Sequence, residues 1–184
     1  LAVSGGSTPK RLFQVLAETD IPWDRVTVIL VDERICPPES DRANQKLVRE
    51  TLLQDKAAAA HFVAYETAYE LPIENAEKSA DLFAGLPWPL DVAVLGMGTD
   101  GHTASFFPHG DRLDDALDMA TESRVLPMQA EGAGEPRLTL TLAALLDARF
   151  LALHIEGQEK RDVFDMALAG TDAGSMPVRA VLHQ

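Results

Sequence analysis

The chain has 184 residues, of which 46% are hydrophobic and 24% charged, a composition typical of one globular domain with a sizeable core. Its formal net charge of −13 argues against binding to nucleic acids or to anionic membranes, because both require basic patches on the protein. No apolar run reaches the roughly 18 residues of a membrane span, and no segment has the pattern of a signal peptide. Cys36 is the only cysteine, so no disulfide can form within the chain. We therefore expect a cytoplasmic protein.

The N-terminal half is predicted to alternate strands with helices. Residues 1–3 and the β-branched run at 26–31 are typical of buried strands. Thr8 is a good N-cap residue and Pro9 suits the first helical position, and the apolar spacing extends that helix to about Ala17. Further helices are predicted at about residues 42–53 and 73–83.

The C-terminal half continues the alternation. Strands are predicted at residues 91–95, 121–128 and 149–155, with a possible last strand beginning at 178–182. Residues 137–140 lead into a short helix at 141–147, and a longer helix spans about 158–169. Such alternation predicts an α/β fold with a Rossmann-like, mostly parallel sheet and helices on both faces. Nothing marks a domain boundary, so we expect a single domain over residues 1–184.

A glycine turn near the N-terminus predicts a phosphate site. Gly5 and Gly6 allow close approach of the backbone, and the helix that follows presents free N–H groups and the positive end of its dipole. Ser4, Ser7 and Thr8 would add hydroxyl donors. A plain tight turn before a capped helix is the alternative, and the lysine of a nucleotide-binding P-loop is absent.

Three charged residues follow the strand at 26–31. Arg34 could clamp a phosphate or carboxylate with its planar guanidinium. Asp32 and Glu33 could accept hydrogen bonds from hydroxyl groups or orient the arginine. A solvated loop is the alternative interpretation. Asn44, near the start of the next predicted helix, is a further candidate for contact with a substrate.

The loop at residues 95–105 carries the most chemistry, because it combines three glycines with Asp100 and His102. It follows a predicted strand, and ligands of open α/β sheets bind beyond the carboxyl ends of the strands. A histidine at such a place can transfer protons near neutral pH. Asp100 would either anchor the loop or hold the imidazole, and a structural histidine is the alternative for His102.

Two more cations are informative, because the chain has only 16 Lys and Arg residues. Arg137 lies beside two threonines, and Lys160 follows a Gly157 turn at a helix start. A helix dipole disfavours a cation there unless the cation meets an anionic ligand, although an exposed surface lysine is the alternative. If the strands are parallel, four strand ends converge and predict a site for a small phosphorylated substrate with proton-transfer chemistry.

These motifs resemble those of a known family. The matching segments follow the family's order along nearly the whole chain, at residues 4–9, 31–34, 95–108, 137–139 and 157–160. The sequence is similar to the 6-phosphogluconolactonases, which are grouped with the glucosamine-6-phosphate deaminases. In the deaminases the residues after Gly-His are similar to Ile-Ala-Phe-Asn-Glu, whereas residues 103–107 here are Thr-Ala-Ser-Phe-Phe, as in the lactonase branch.

The resemblance implies a fold of the glucosamine-6-phosphate deaminase/ribose-5-phosphate isomerase type. It also implies hydrolysis of 6-phosphoglucono-1,5-lactone to 6-phosphogluconate in the oxidative pentose phosphate pathway. The predicted catalytic residues are His102, as general base on water, and Asp100. The predicted substrate and phosphate contacts are Gly5, Gly6, Ser7, Thr8, Asp32, Arg34, Asn44, Gly101, Arg137 and Lys160.

No cofactor is expected, since ester hydrolysis moves no electrons. No metal is expected either, because the spacing of His109 and Asp111 near the central loop matches no ligand pattern. The expected partner is a small phosphorylated sugar lactone, with the protein a monomer or small homo-oligomer. Because family members carry an additional N-terminal helical segment and a short C-terminal stretch, we expect both to be missing from residues 1–184.

Two other functions stay open. An amino-sugar-phosphate deaminase or isomerase would keep the fold and need a carboxylate base, for which Asp32 is the obvious candidate. A sugar-phosphate-binding domain without turnover would keep only the anion site. The presence of both His102 and Asp100 argues against the second alternative.

Overall fold

The computed structural model describes residues 1–184 and contains two β-sheets with flanking helices. The strands are β1 (Ala2–Val3), β2 (Thr27–Leu30), β3 (Asp32–Arg34), β4 (His61–Phe62), β5 (Val92–Leu95), β6 (Val125–Met128), β7 (Arg137–Leu140) and β8 (Phe150–Leu153). The helices are α1 (Lys10–Glu18), α2 (Asn44–Thr51), α3 (Pro72–Ala84), α4 (Leu113–Leu117), α5 (Leu142–Leu146), α6 (Gln158–Ala169) and α7 (Arg179–Leu182). Short 3₁₀ turns occur at Trp23–Arg25, Asp55–Ala59 and Glu131–Ala133.

The larger sheet confirms the predicted α/β fold. Its five strands run in the order β4-β2-β1-β5-β8, and every neighbouring pair is parallel. The central strand is β1, where Ala2 lies opposite both Ile29 and Ala93. Parallel strands need crossover connections, and those connections carry the flanking helices. The carboxyl ends of β1, β2, β5 and β8 therefore lie along one edge.

A second, antiparallel sheet in the order β3-β7-β6 was not predicted. The charged residues expected in a loop after residue 31 instead form β3, which pairs with β7. Val31 joins the two sheets: its N–H donates to the Val3 carbonyl at 3.0 Å, and its carbonyl accepts from the Leu140 N–H at 2.9 Å. The chain from β2 to β3 thus contributes to both sheets in turn.

Two local predictions were wrong. The segment expected to begin a last strand at 178–182 contains helix α7, since a short apolar run does not distinguish strand from helix. Helix α1 begins at Lys10, with Pro9 as its N-cap, and no side chain caps it. Thr8 therefore lies just before the helix instead of capping it.

One apolar core lies between the sheets and helices. It contains residues from β1, β2, β5, β6 and β7, together with Phe13 of α1 and Phe83 of α3, both fully buried. A smaller cluster of Met97, Ala167, Met176 and Val178 lies beside the loop that follows β5. The core therefore supports the loops at the carboxyl edge from beneath.

We expect Leu95→Ala, at the end of β5, to lower the free energy of unfolding by about 2–5 kcal/mol, because this fully buried side chain would leave a cavity. Urea denaturation measures the change. The matched control is Leu82→Ala on α3, whose side chain is 51% exposed and whose loss should cost no more than about 0.5 kcal/mol. Equal costs for the two variants would contradict the assigned core.

Candidate active site

A polar cavity of about 300 Å³ lies at the carboxyl edge of the parallel sheet. It is bounded by the loops after β1 and β5, the start of α6, and residues of β3 and β7. The predicted site residues that line it are Gly5, Gly6, Ser7, Thr8, Asp32, Arg34, Asn44, His102, Arg137 and Lys160. The structure therefore brings together residues that lie far apart in the sequence.

Asp100 holds the imidazole of His102. One carboxylate oxygen, Oδ1, lies 2.6 Å from His102 Nδ1 and also accepts from the His102 backbone N–H at 3.1 Å. Burial alone would raise the pKa of Asp100, but the hydrogen bonds and charge of His102 lower it below its usual value. An ionised carboxylate only accepts hydrogen bonds, so Nδ1 carries the proton and Nε2 of a neutral ring is unprotonated.

Hydrogen bonds within the loop after β5 fix the positions of Asp100 and His102. The Gly98 N–H donates to the His102 carbonyl at 2.8 Å, and the Thr103 hydroxyl donates to the Gly96 carbonyl at 2.7 Å. A Cβ on Gly98 would lie 2.1 Å from His102 Nδ1 and 2.4 Å from Asp100 Oδ1. Glycine is therefore required at position 98 for the imidazole to pack against the main chain.

Gly101 and Asp100 do not line the cavity. Gly101 has a φ of 79°, and a Cβ there would lie 3.0 Å from the side chain of Met176. Its carbonyl accepts from the Val178 N–H at 2.9 Å. Gly101 is thus a turn residue of the loop, its contact with a substrate stays a prediction, and Asp100 lies behind His102.

The glycine turn after β1 packs closely against Asn44. A Cβ on Gly5 would lie 1.9 Å from Asn44 Oδ1, so the turn and the side chain are in direct contact. Ser4, in contrast, is occupied internally: its hydroxyl donates to the Val94 carbonyl at 3.1 Å and accepts from the Gly96 N–H at 2.9 Å. Ser4 lines the cavity as well, and its hydroxyl links the two glycine loops.

Three cations converge on the cavity. Arg137 is only 7% exposed, and its Nε and Nη2 donate to the carbonyls of Glu135 and Ala133, so its position is rigid. Its guanidinium lies 5.4 Å from the centre of the Phe107 ring. The Nε of Arg34 is buried without a hydrogen-bond partner and lies 3.9 Å from Glu135 Oε1, whereas Lys160 forms no ion pair with any residue of the chain. Lys160 and Arg137 therefore have no acidic partner in an ion pair, whereas Arg34 has Glu135.

Two acidic residues of β3 face different surroundings. Asp32 lines the cavity, where its Oδ2 accepts from the Ser105 hydroxyl at 2.7 Å. Glu33 is fully buried and does not line the cavity. Burial raises the pKa of Glu33 to about 7, against the effect of three backbone N–H donors from Asn44, Arg34 and Gln45. The charged form of Glu33 therefore depends on those donors.

Sequence reasoning missed several residues of this site. The Phe107 ring centre lies 4.6 Å from that of His102, and Phe107 and Ala104 both line the cavity. Ala104 has a φ of 47°, unusual for a residue with a side chain. Gly132, from the turn before β7, completes the wall. The signal for Phe107 was its place in the long central motif, but no sequence pattern indicated Gly132.

A larger cavity of about 440 Å³ lies elsewhere and is mainly apolar. It is lined by residues at the amino ends of β2 and β5 and contains no histidine, cysteine or lysine. The histidine and the group of three cations therefore lie at the polar cavity, whereas the charged residues of the apolar cavity are Arg25 and Asp91.

No group of three or more His, Cys, Asp or Glu side chains is placed to hold a metal ion. No helix is both long and apolar enough to cross a bilayer.

A parallel α/β sheet that gathers a histidine–aspartate pair and three cations at its carboxyl edge defines an enzyme-like site for a small anionic ligand. The model of a family described as glucosamine-6-phosphate isomerases/6-phosphogluconolactonase matches residues 1–184. The chain belongs to this family.

Individual relatives agree with that assignment. A 6-phosphogluconolactonase of Rhizobium meliloti (strain 1021) is 54% identical, over 100% of this chain and 79% of the relative. One of Mesorhizobium japonicum is 55% identical, over 99% of this chain and 76% of the relative. The crystal structure of a 6-phosphogluconolactonase from Shewanella baltica OS155 superposes with a TM-score of 0.96 at 40% identity, covering 100% of this chain and 78% of that one.

We expect Gly98→Ala to displace the imidazole and break its hydrogen bond to Asp100, because the added methyl group would overlap both side chains. The ¹⁵N shifts of the His102 ring report the loss. The matched control is Gly85→Ala, at the end of α3, where the nearest atom to a Cβ is the Leu82 carbonyl oxygen at 3.9 Å. An unchanged His102 signal in Gly98→Ala would contradict the described packing.

Proposed function

We propose that the chain hydrolyses 6-phosphoglucono-1,5-lactone to 6-phosphogluconate, a step of the oxidative pentose phosphate pathway. The observation that carries the proposal is the Asp100–His102 pair, at 2.6 Å, facing a cavity with three cations. The substrate is inferred from the relatives, because each is named a 6-phosphogluconolactonase and matches nearly the whole of this chain.

His102 acts as the general base in the proposed mechanism. Asp100 keeps the proton on Nδ1, so the free Nε2 accepts a proton from a water molecule as that water attacks the lactone carbonyl carbon. The carbonyl oxygen becomes an oxyanion, and the carbon–oxygen bond of the ring then breaks. Nε2 returns its proton to the departing ring oxygen, which leaves the acid and regenerates the neutral imidazole.

Arg137 and Arg34 are both held by contacts within the chain, and Lys160 is the least constrained of the three cations. Arg137 is held by backbone carbonyls and has a fixed guanidinium, which suits stabilisation of charge at one place. Arg34 and Lys160 lie on β3 and at the start of α6, and we assign both to the phosphate group. The turn at Gly5 and Gly6 closes around the ligand beside them.

We expect His102→Ala to lower kcat for lactone hydrolysis by about 10²- to 10⁴-fold, because it removes the general base. Asp100→Asn should lower kcat by a similar amount, since an amide can donate to Nδ1 and leave the proton on Nε2. The measurement is acid release from the phosphorylated lactone, corrected for spontaneous hydrolysis.

His109→Ala provides the control, because His109 lies outside the polar cavity and should leave kcat unchanged. Wild-type kcat in His102→Ala would contradict the base assignment. Glucosamine 6-phosphate tests the deaminase alternative in which Asp32 is the base: release of ammonia by the wild-type protein would favour that function.

We expect Arg34→Ala and Lys160→Ala each to raise KM for the phosphorylated lactone by roughly tenfold, because each removes a charged contact to the phosphate. The hydrolysis of unphosphorylated glucono-1,5-lactone should change little. Arg161→Ala on α6 is the matched control, since Arg161 is exposed and pairs with Asp165 at 3.1 Å. Unchanged KM in both cavity variants would contradict the phosphate assignment.

A further inference from the structure

Glu33 is a buried carboxylate that the catalytic cycle does not use. Its side chain is fully buried in β3, on the opposite side from the cavity-lining residues Asp32 and Arg34. Its Oε1 accepts from the backbone N–H groups of Arg34 and Asn44, and its Oε2 accepts from that of Gln45, each at 2.7 Å. Both oxygens are therefore committed to the main chain.

These hydrogen bonds replace a local cap for α2. The N-cap position of this helix is Ala43, which has no side-chain acceptor, and no residue next to it caps the helix. The first N–H groups of a helix have no partner within it and carry the positive end of its dipole. Glu33 satisfies two of them from a strand eleven residues earlier, so the start of α2 is attached to β3.

The residues held by Glu33 line the cavity. Asn44 is 4% exposed, donates through Nδ2 to the Asp32 carbonyl at 3.0 Å, and packs against Gly5. Arg34, whose N–H also donates to Glu33, presents its guanidinium to the same cavity. One carboxylate thus sets the relative positions of β3, the start of α2 and the glycine turn.

We propose that Glu33 is a positioning residue for the phosphorylated substrate, acting through Arg34 and Asn44. This inference rests on the proposed function. Glu33 neither lines the cavity nor takes part in the proposed reaction, so its role is to hold residues that do line the cavity. It predicts that a change at Glu33 affects binding of the phosphorylated substrate more than the chemical step at His102, because Asp100 and the loop after β5 hold the imidazole and Glu33 forms no hydrogen bond to either.

The test is Glu33→Gln, an isosteric change that replaces one acceptor oxygen with an NH₂ group facing a backbone N–H. We expect KM for the phosphorylated lactone to rise roughly tenfold while kcat stays within about threefold of wild type. Hydrolysis of unphosphorylated glucono-1,5-lactone should be unchanged. The control is Glu39→Gln, the same chemical change at an exposed position six residues along the chain.

A second variant separates positioning from helix capping. Ala43→Ser supplies a local hydroxyl cap, worth about 1 kcal/mol, and should restore the thermal stability that Glu33→Gln loses. KM should nevertheless stay raised in Glu33→Gln/Ala43→Ser, because the new cap does not attach α2 to β3. A return of KM to the wild-type value in the double variant would overturn the inference, and so would failure of both variants to fold.

Different results would overturn the role of Glu33 and the proposed lactone hydrolysis. An active wild-type protein and a folded Glu33→Gln variant with unchanged KM would overturn the role of Glu33 alone. A wild-type protein that hydrolyses no lactone would overturn the proposed function. In that case the dissociation constant of inorganic phosphate decides the role of Glu33: weaker binding by Glu33→Gln supports it, and equal binding overturns it.

Discussion

The polar cavity depends on the segment from Val31 through β3, which hydrogen-bonds to both sheets. Val31 donates to β1 in the parallel sheet and accepts from the residue at the end of β7 in the antiparallel sheet, so the direction of β3 is set by both. Side chains alternate along a strand, which sends Asp32 and Arg34 into the cavity and Glu33 to the opposite side. A flexible loop with the same three residues would not separate them in this way. Backbone pairing therefore determines which charges a ligand meets.

The charge distribution follows from that geometry. The chain carries 29 acidic and 16 basic residues, yet Arg34, Arg137 and Lys160 meet at one cavity whose acidic lining residue is Asp32. Burial lowers the pKa of Arg137, and the neighbouring Asp32 opposes that effect. A local group of cations in a mainly negative protein concentrates attraction for an anion at this one place. Net charge and site charge are thus of opposite sign.

The histidine loop and the glycine turn follow neighbouring strands and are joined by hydrogen bonds. Ser4 joins the end of β1 to the start of the β5 loop, and Thr103 closes that loop on Gly96. Gly98 lets the imidazole lie against the main chain, with Asp100 behind it. The histidine is therefore oriented by a loop that is tied to the glycine turn. The proposed anion-binding residues lie on β3 and β7 and at the starts of α2 and α6, and the hydrogen bond from Ser105 to Asp32 joins β3 to the histidine loop.

The sequence by itself determined the parallel α/β sheet, the convergence of its strand ends, and most of the residues that line the cavity. Apolar strands, glycine turns and charged strand ends are local patterns, and parallel pairing brings equivalent ends to one edge. Only the tertiary structure decided that Asp32–Arg34 form a strand of a second sheet, that Gly101 and Ser4 serve the loops, and that residues 179–182 are helical. It also decided that Asp100 both anchors the loop and holds the imidazole of His102. The physical reason is that these features depend on hydrogen bonds and contacts between distant segments, which no short sequence pattern encodes.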